Sequence, residues 1–114
     1  MKTKSTSIVF EKDTLWENPA PGIRRQVMAY DGQIMLVKVC FDKNAVGTPH
    51  EHYHSQVTYC VKGTFEMLIG EQRTIIHGGD AYYIEPDQWH GCVCLEEGML
   101  IDVFSPMRAD FLKA

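Results

Sequence analysis

Three of the five histidines of this 114-residue chain fall within five positions, at His50, His52 and His54, and Gln56 continues the same alternate spacing. Imidazole nitrogens and an amide oxygen are suitable donors to a divalent cation. In an extended segment alternate side chains share one face, with neighbours on that face about 6.6 Å apart at Cα. Imidazoles at that spacing can converge on one ion at about 2.0–2.1 Å. The run that starts at Gln56 reads as a strand, so the cluster sits on regular structure rather than in a free polar tail. A fourth donor has to come from elsewhere, and His90 is the available one. His54 shares the parity of the cluster, but a bend at Tyr53 would turn it away, and we expect it beside the site rather than on the metal. His77, in the turn His77-Gly-Gly-Asp80, is expected to be simply solvated.

A second chemical signal lies near the end of the chain. Met99-Leu-Ile-Asp102-Val-Phe104 is almost continuously apolar and carries one carboxylate. Aspartate is depleted in strands and costly to bury without a partner. Asp102 is therefore an outward residue of an edge strand, an ion-pair partner of Arg108, or a general acid/base with a displaced pKa. Alternation alone leaves these open. Gln56, Thr58 and Cys60 share parity, so Cys60 and also Cys92 could border a pocket. We read all four cysteines, Cys40, Cys60, Cys92 and Cys94, as free thiols in apolar runs. Cys92-x-Cys94 is not a zinc-ribbon spacing. Tyr82, Tyr83 and Trp89 are expected to pack.

The elements that must position these residues are strands. Short apolar runs recur between turn signals, and no long 3.6-residue periodicity appears. The pattern predicts strands at Ile8–Phe10, Arg24–Tyr30, Ile34–Phe41, Gln56–Val61, Thr64–Ile69, Thr74–Ile76, Ala81–Ile84, His90–Leu95 and Met99–Phe104. Turns are expected at Asp31-Gly32, Lys62-Gly63, Gly70–Arg73, His77–Asp80 and Glu96–Gly98, a Pro/Gly connector at 17–22 and loops at 42–49 and 85–89. Such spacing implies an all-β sandwich or barrel. We expect a single domain over 1–114, with an arm and connector at 1–22, the barrel at 23–104 and a tail at 105–114 holding at most one helical turn.

Composition excludes several classes. Hydrophobic content of 45% and charged content of 23% are ordinary for a globular protein. A net charge of −4, with Arg24-Arg25 the only basic doublet, argues against nucleic-acid binding. No apolar run approaches the roughly 20 residues of a membrane helix, and the polar start, Met1 to Ser7, has no signal-peptide core behind it, so a cytoplasmic location is expected.

Two motifs together carry a resemblance. His50-Glu-His52-Tyr-His-Ser-Gln56, followed by six residues, Val57 to Lys62, and then Gly63, resembles the first motif of the cupin superfamily. Gly79-Asp80-Ala-Tyr-Tyr-Ile84-Glu-Pro86-Asp-Gln-Trp-His90 resembles the second. The resemblance implies a double-stranded β-helix, a jelly-roll barrel, with His50, His52, Gln56 and His90 holding one divalent metal ion. Gln56 departs from the superfamily's usual Glu, and the donor set would suit zinc, nickel, iron or manganese. The tail Asp102-Val-Phe104-Ser-Pro106-Met-Arg108 is similar to that of the small cupins associated with pectin and alginate breakdown, which linearise 4,5-unsaturated uronates. That likeness implies that Asp102, Phe104 and Arg108 work beside the metal on a uronate substrate. The alternatives are a metal-dependent dioxygenase and a sugar-binding module without turnover. Apolar character on both faces of Ile34–Phe41, with an apolar N-terminal arm, leads us to expect a homodimer.

Overall fold

The computed structural model describes residues 3–112. Among them lie eight strands: β1 (Glu17–Ala20), β2 (Ile23–Tyr30), β3 (Met35–Phe41), β4 (Val46–His50), β5 (Ser55–Ile69), β6 (Gln72–His77), β7 (Ala81–Ile84) and β8 (His90–Ser105). The helical pieces among the described residues are single 3-10 turns at Glu11–Asp13 and Ala109–Phe111. No described helix is long and apolar enough to cross a membrane.

The spine is the antiparallel pair of β5 and β8, of 15 and 16 residues. Each strand serves two sheets. The first half of β5 pairs with β7 and with the second half of β8, which also pairs with β3; β3 leads on to β2 and β1. The second half of β5 pairs with β6 and with the first half of β8, whose other edge takes β4. The corner between the sheets is made by two glycines. Gly63 has φ +95°, and a Cβ there would stand 2.5 Å from the Gly98 Cα. A Cβ on Gly98 would stand 2.3 Å from the Lys62 carbonyl oxygen. Only two residues without side chains let the backbones touch and both strands fold over together.

Several local expectations are corrected here. Lys62-Gly63 and Glu96–Gly98 are not chain-reversing turns. They are bulged corners inside continuous strands, because the register slips between Cys60 and Phe65 while pairing resumes on both sides. Residues 17–20 and 46–50 are strands, not connector and loop. Both are at sheet edges, where Pro19 and Pro49 withhold no needed ladder donor. Ile8–Phe10 forms no strand, and its Ile8 and Phe10 side chains are exposed.

The core follows from alternation. On β3, Met35, Val37, Val39 and Phe41 point inward. They meet Phe65, Met67, Cys94 and Leu100, with Phe41 packed edge-on against Phe65 at 5.1 Å between centroids. All four cysteines are free, and Cys60 and Cys94 are buried. On the β5–β8 ladder the inward pairs are Gln56 opposite Phe104, Thr58 opposite Asp102, and Cys60 opposite Leu100. That register brings polar groups from the middle of the chain and from near its end to one interior wall.

Candidate metal centre

His50 is the last residue of β4 and pairs in register with His90, the first residue of β8. Their rings lie 4.5 Å apart. The Nδ1 of His50 is 2.9 Å from the Thr48 carbonyl oxygen, and that of His90 is 2.8 Å from the Gln88 oxygen. A proton on each Nδ1 donates to those carbonyls and leaves each Nε2 as a bare lone pair. His52 completes the group, its ring 5.5 Å from His50 and 4.9 Å from His90. One ring nitrogen from each of the three lies within 4.8 Å of the others.

The stretch from 50 to 56 is not one extended strand. Residues 51–54 lie between β4 and β5, and the chain bends at Tyr53. His52 reaches the group from that connection. His54 turns the other way: it is buried, stacks on Tyr53 at 4.1 Å, and sets its Nε2 3.2 Å from the Met107 carbonyl in the C-terminal tail. His77 is exposed, as the last residue of β6 rather than within the turn that follows.

Gln56 is buried, and its Oε1 stands 3.0 Å from His52 Nε2. Two donors held about 2.1 Å from one ion at a right angle are also about 3 Å apart. The Nδ1 of His52 is buried and has no partner among the described residues. Three imidazoles and an amide oxygen form a neutral, borderline-soft set, so these residues fit a divalent transition ion. The electrostatics keep them available. Burial, then the Arg108 charge and His90, lower the His52 pKa to about 4, against the opposing Gln56 contact. Burial also lowers His90, with His50 and Arg108 adding and the Gln88 carbonyl opposing. Both are unprotonated at neutral pH and free to act as ligands.

Beside the histidines stands Asp102. β8 is flanked by β3 and β5, so Asp102 is not on an edge strand. Its Oδ1 accepts from the Thr58 hydroxyl at 2.7 Å and from Gln56 Nε2 at 3.4 Å. Burial pushes its carboxyl up to about 6, a rise restrained by the Thr58 bond, the Arg108 charge and the Gln56 bond. Arg108 does not form its ion pair with Asp102. Its Nε and Nη2 hold Asp110 at 3.0 and 2.9 Å, and among the described residues no hydrogen bond engages Nη1. The guanidinium lies over Phe104 and Phe111, at 5.1 and 4.3 Å from the ring centroids. Phe104 is itself buried, edge-on to His52 at 5.7 Å.

One cavity of about 220 Å³ is bordered by His50, Gln56, His90, Asp102, Phe104 and Arg108. The sequence did not point to Arg25 and Phe111, which also border it, with the Arg25 guanidinium 3.9 Å from the Phe111 ring. Nothing in a basic doublet and a distant tail residue signals that contact. Tyr82 lines the cavity too, where packing alone was expected. Thr58 was detectable only through its parity with Gln56.

A two-sheet antiparallel barrel with imidazoles converging at one end of its interior defines a class of metal-binding β-barrel proteins. The chain belongs to the cupin family, whose cupin-domain model matches residues 37–104. It is 45% identical over 104 residues to the pectin degradation protein KdgF of Dickeya dadantii (strain 3937), covering 90% of this chain and 94% of that one. The crystal structure of an RmlC-like cupin from Shewanella frigidimarina NCIMB 400 superposes with a TM-score of 0.94 at 38% identity, covering 97% of this chain and all (100%) of that one. The structure of KdgF from Halomonas sp. gives 0.89 at 38% identity, over 95% and 100% of the two chains.

Proposed function

We propose that the protein opens the ring of 4,5-unsaturated uronates released in pectin or alginate breakdown, giving the linear keto acid. One observation carries this reading: the six residues His50, Gln56, His90, Asp102, Phe104 and Arg108, drawn from both halves of the chain, border the same cavity. The similarity to a pectin degradation protein supports the substrate class. In this reading His50, His52, Gln56 and His90 hold one divalent ion, whose identity within zinc, nickel, iron and manganese is left to metal analysis. When bound, it supplies Lewis-acid polarisation of substrate oxygens.

The chain's own groups handle binding and protons. The Nη1 side of Arg108 meets the substrate carboxylate, with the stacked Phe104 and Phe111 fixing the guanidinium plane. Phe104 packs against the sugar and keeps water out. Asp102, with a carboxyl near 6, is mostly ionised at neutral pH yet easily protonated. It takes the proton of the hemiacetal hydroxyl as the carbonyl forms and the bond to the ring oxygen breaks. The electron pair stays on the former ring oxygen as an enolate, which becomes a ketone when carbon takes the proton that Asp102 holds, and the carboxylate is regenerated. The reaction is an isomerisation and consumes no oxidant.

The test is loss of the conjugated ultraviolet absorbance of a 4,5-unsaturated uronate, on metal-loaded and on chelated protein, with an oxygen electrode alongside. Loss with the metal-loaded protein only, and no oxygen uptake, is expected. Oxygen uptake would point to a dioxygenase, and saturable binding without either signal to a sugar-binding module. We further propose that residues 23–104 form the barrel of a single domain, with 1–22 as its arm and 105–114 as its tail. A homodimer is supported by exposed Phe10, Leu15, Val57 and Tyr83, and a monomer on size exclusion at micromolar concentration would contradict it. Four unpaired thiols suit a cytoplasmic location.

A further inference from the structure

The Thr58 side chain is fully buried and stands opposite Asp102 on the β5–β8 ladder. A threonine hydroxyl has a single proton, and here its direction is set. Oγ1 is 2.7 Å from Asp102 Oδ1, and an ionised carboxylate can only accept. With its proton committed to Asp102, Oγ1 offers only a lone pair to its next neighbour, the Gln56 amide, 3.0 Å away. Only the nitrogen end of an amide can meet a lone pair, and that nitrogen is also 3.4 Å from Asp102 Oδ1. The oxygen end is thereby turned to His52, where Oε1 stands 3.0 Å from Nε2. A flipped amide would set oxygen against the Thr58 lone pair and the carboxylate, and would turn N–H groups toward the histidines, where a cation has no use for them.

We propose that Thr58 is a positioning residue: it fixes the Gln56 amide oxygen-first toward the histidines and so completes the donor set for a divalent cation. This rests on the metal assignment proposed above, not on the identity of the substrate. It also gives the neutral residue at position 56 a structural reason, since only an amide has two ends for Thr58 to distinguish.

The experiment is competition of the folded protein with a chelator for Ni²⁺, without substrate. It compares wild type, Thr58→Val and Thr58→Ser, each also in a Gln56→Glu background, with unfolding midpoints confirming the fold. Val removes the oxygen and keeps the shape, whereas Ser keeps the oxygen. Val is expected to weaken Ni²⁺ binding by about tenfold or more, and Ser by no more than about twofold. With glutamate at 56 the two carboxylate oxygens are interchangeable, so Val is expected to cost less than about twofold there. Equal losses in both backgrounds, no loss with Val, or a loss with Ser as large as with Val would each overturn the proposal. If Thr58→Val does not fold, Thr58→Ala removes the same oxygen and carries the same expectations. Wild-type protein that takes up no Ni²⁺ overturns the proposal together with the metal assignment. Coupled Ni²⁺ binding without turnover of any unsaturated uronate supports the positioning role and removes the ring-opening reading alone.

Discussion

Asp102→Asn is expected to stabilise the metal-free protein while removing most turnover from the metal-loaded one. Burial holds the Asp102 carboxyl at about 6, against an ordinary 3.8. Between those values the folded state binds more protons than the unfolded chain, so stability falls as pH rises through that window. The favourable contribution is complete below pH 3.8 and gone by about pH 7. At about 1.4 kcal/mol per pH unit the gap corresponds to roughly 3 kcal/mol, an upper value because Asp102 is only partly buried and borders the cavity. The amide in its place still accepts from Thr58 and buries no charge. His52, His54 and His90 act in the opposite direction. Their lowered pKa values mean that the fold binds fewer protons than the unfolded chain, so stability is lost as pH falls. The wild-type profile mixes both signs, and the difference between variant and wild type isolates Asp102. The assay is urea unfolding of chelated protein from pH 4 to pH 8. The two proteins are expected to be nearly equal at pH 4, and the variant more stable by about 2–3 kcal/mol at pH 8. A difference that does not grow with pH would refute the electrostatic reasoning, and retained turnover would remove Asp102 from the mechanism.

Arg108→Lys keeps the charge but loses the planar fork and the stacking on Phe104 and Phe111. KM for the uronate is expected to rise about tenfold or more with a smaller change in kcat, by steady-state kinetics; a kcat loss as large as the KM rise would place Arg108 in the chemical step instead. Gly98→Ala sets a methyl 2.3 Å from the Lys62 oxygen and is expected to cost about 3 kcal/mol or more in urea unfolding. A loss below about 1 kcal/mol would show that the corner can open without strain. Divalent metal at about 100 times its Kd is expected to stabilise the protein by about 2.7 kcal/mol, read as a higher unfolding midpoint that a chelator reverses. No shift with zinc, nickel, iron or manganese would remove the metal from the centre.

The strands that alternate cleanly were legible in the sequence, β7 with the same limits and β3 within one residue. So was the cupin character, because two separated motifs had to agree. The corners were not. Gly63 and Gly98 look like hairpin turns in isolation, and only their contact across two strands shows that each lets the other bend. The histidine cluster was legible in part as geometry. Parity put His54 with His50 and His52, the expected bend at Tyr53 turns it aside, and only its partner, the Met107 carbonyl, was not legible. Asp102 was ambiguous for a related reason. Its surroundings depend on the β5–β8 register, which places Thr58 opposite it and which no local pattern encodes.

That register also bears on the absence of an acid at position 56. A glutamate there would bring a carboxylate to where the amide nitrogen now lies, 3.4 Å from Asp102 Oδ1. Two like charges about 4 Å apart repel by about 4 kcal/mol at an effective dielectric constant near 20. Without a cation between them, one of the two would have to hold a proton. The amide removes the conflict and turns it into a bond, since its nitrogen donates to Thr58 and Asp102 while its oxygen faces His52. In the proposed reaction this separates two tasks. The donors to the ion are all neutral, so a bound divalent ion keeps its full charge for the substrate oxygens. Asp102 is then the carboxylate left to carry protons, and an anionic uronate entering the cavity meets that single negative group together with the Arg108 charge.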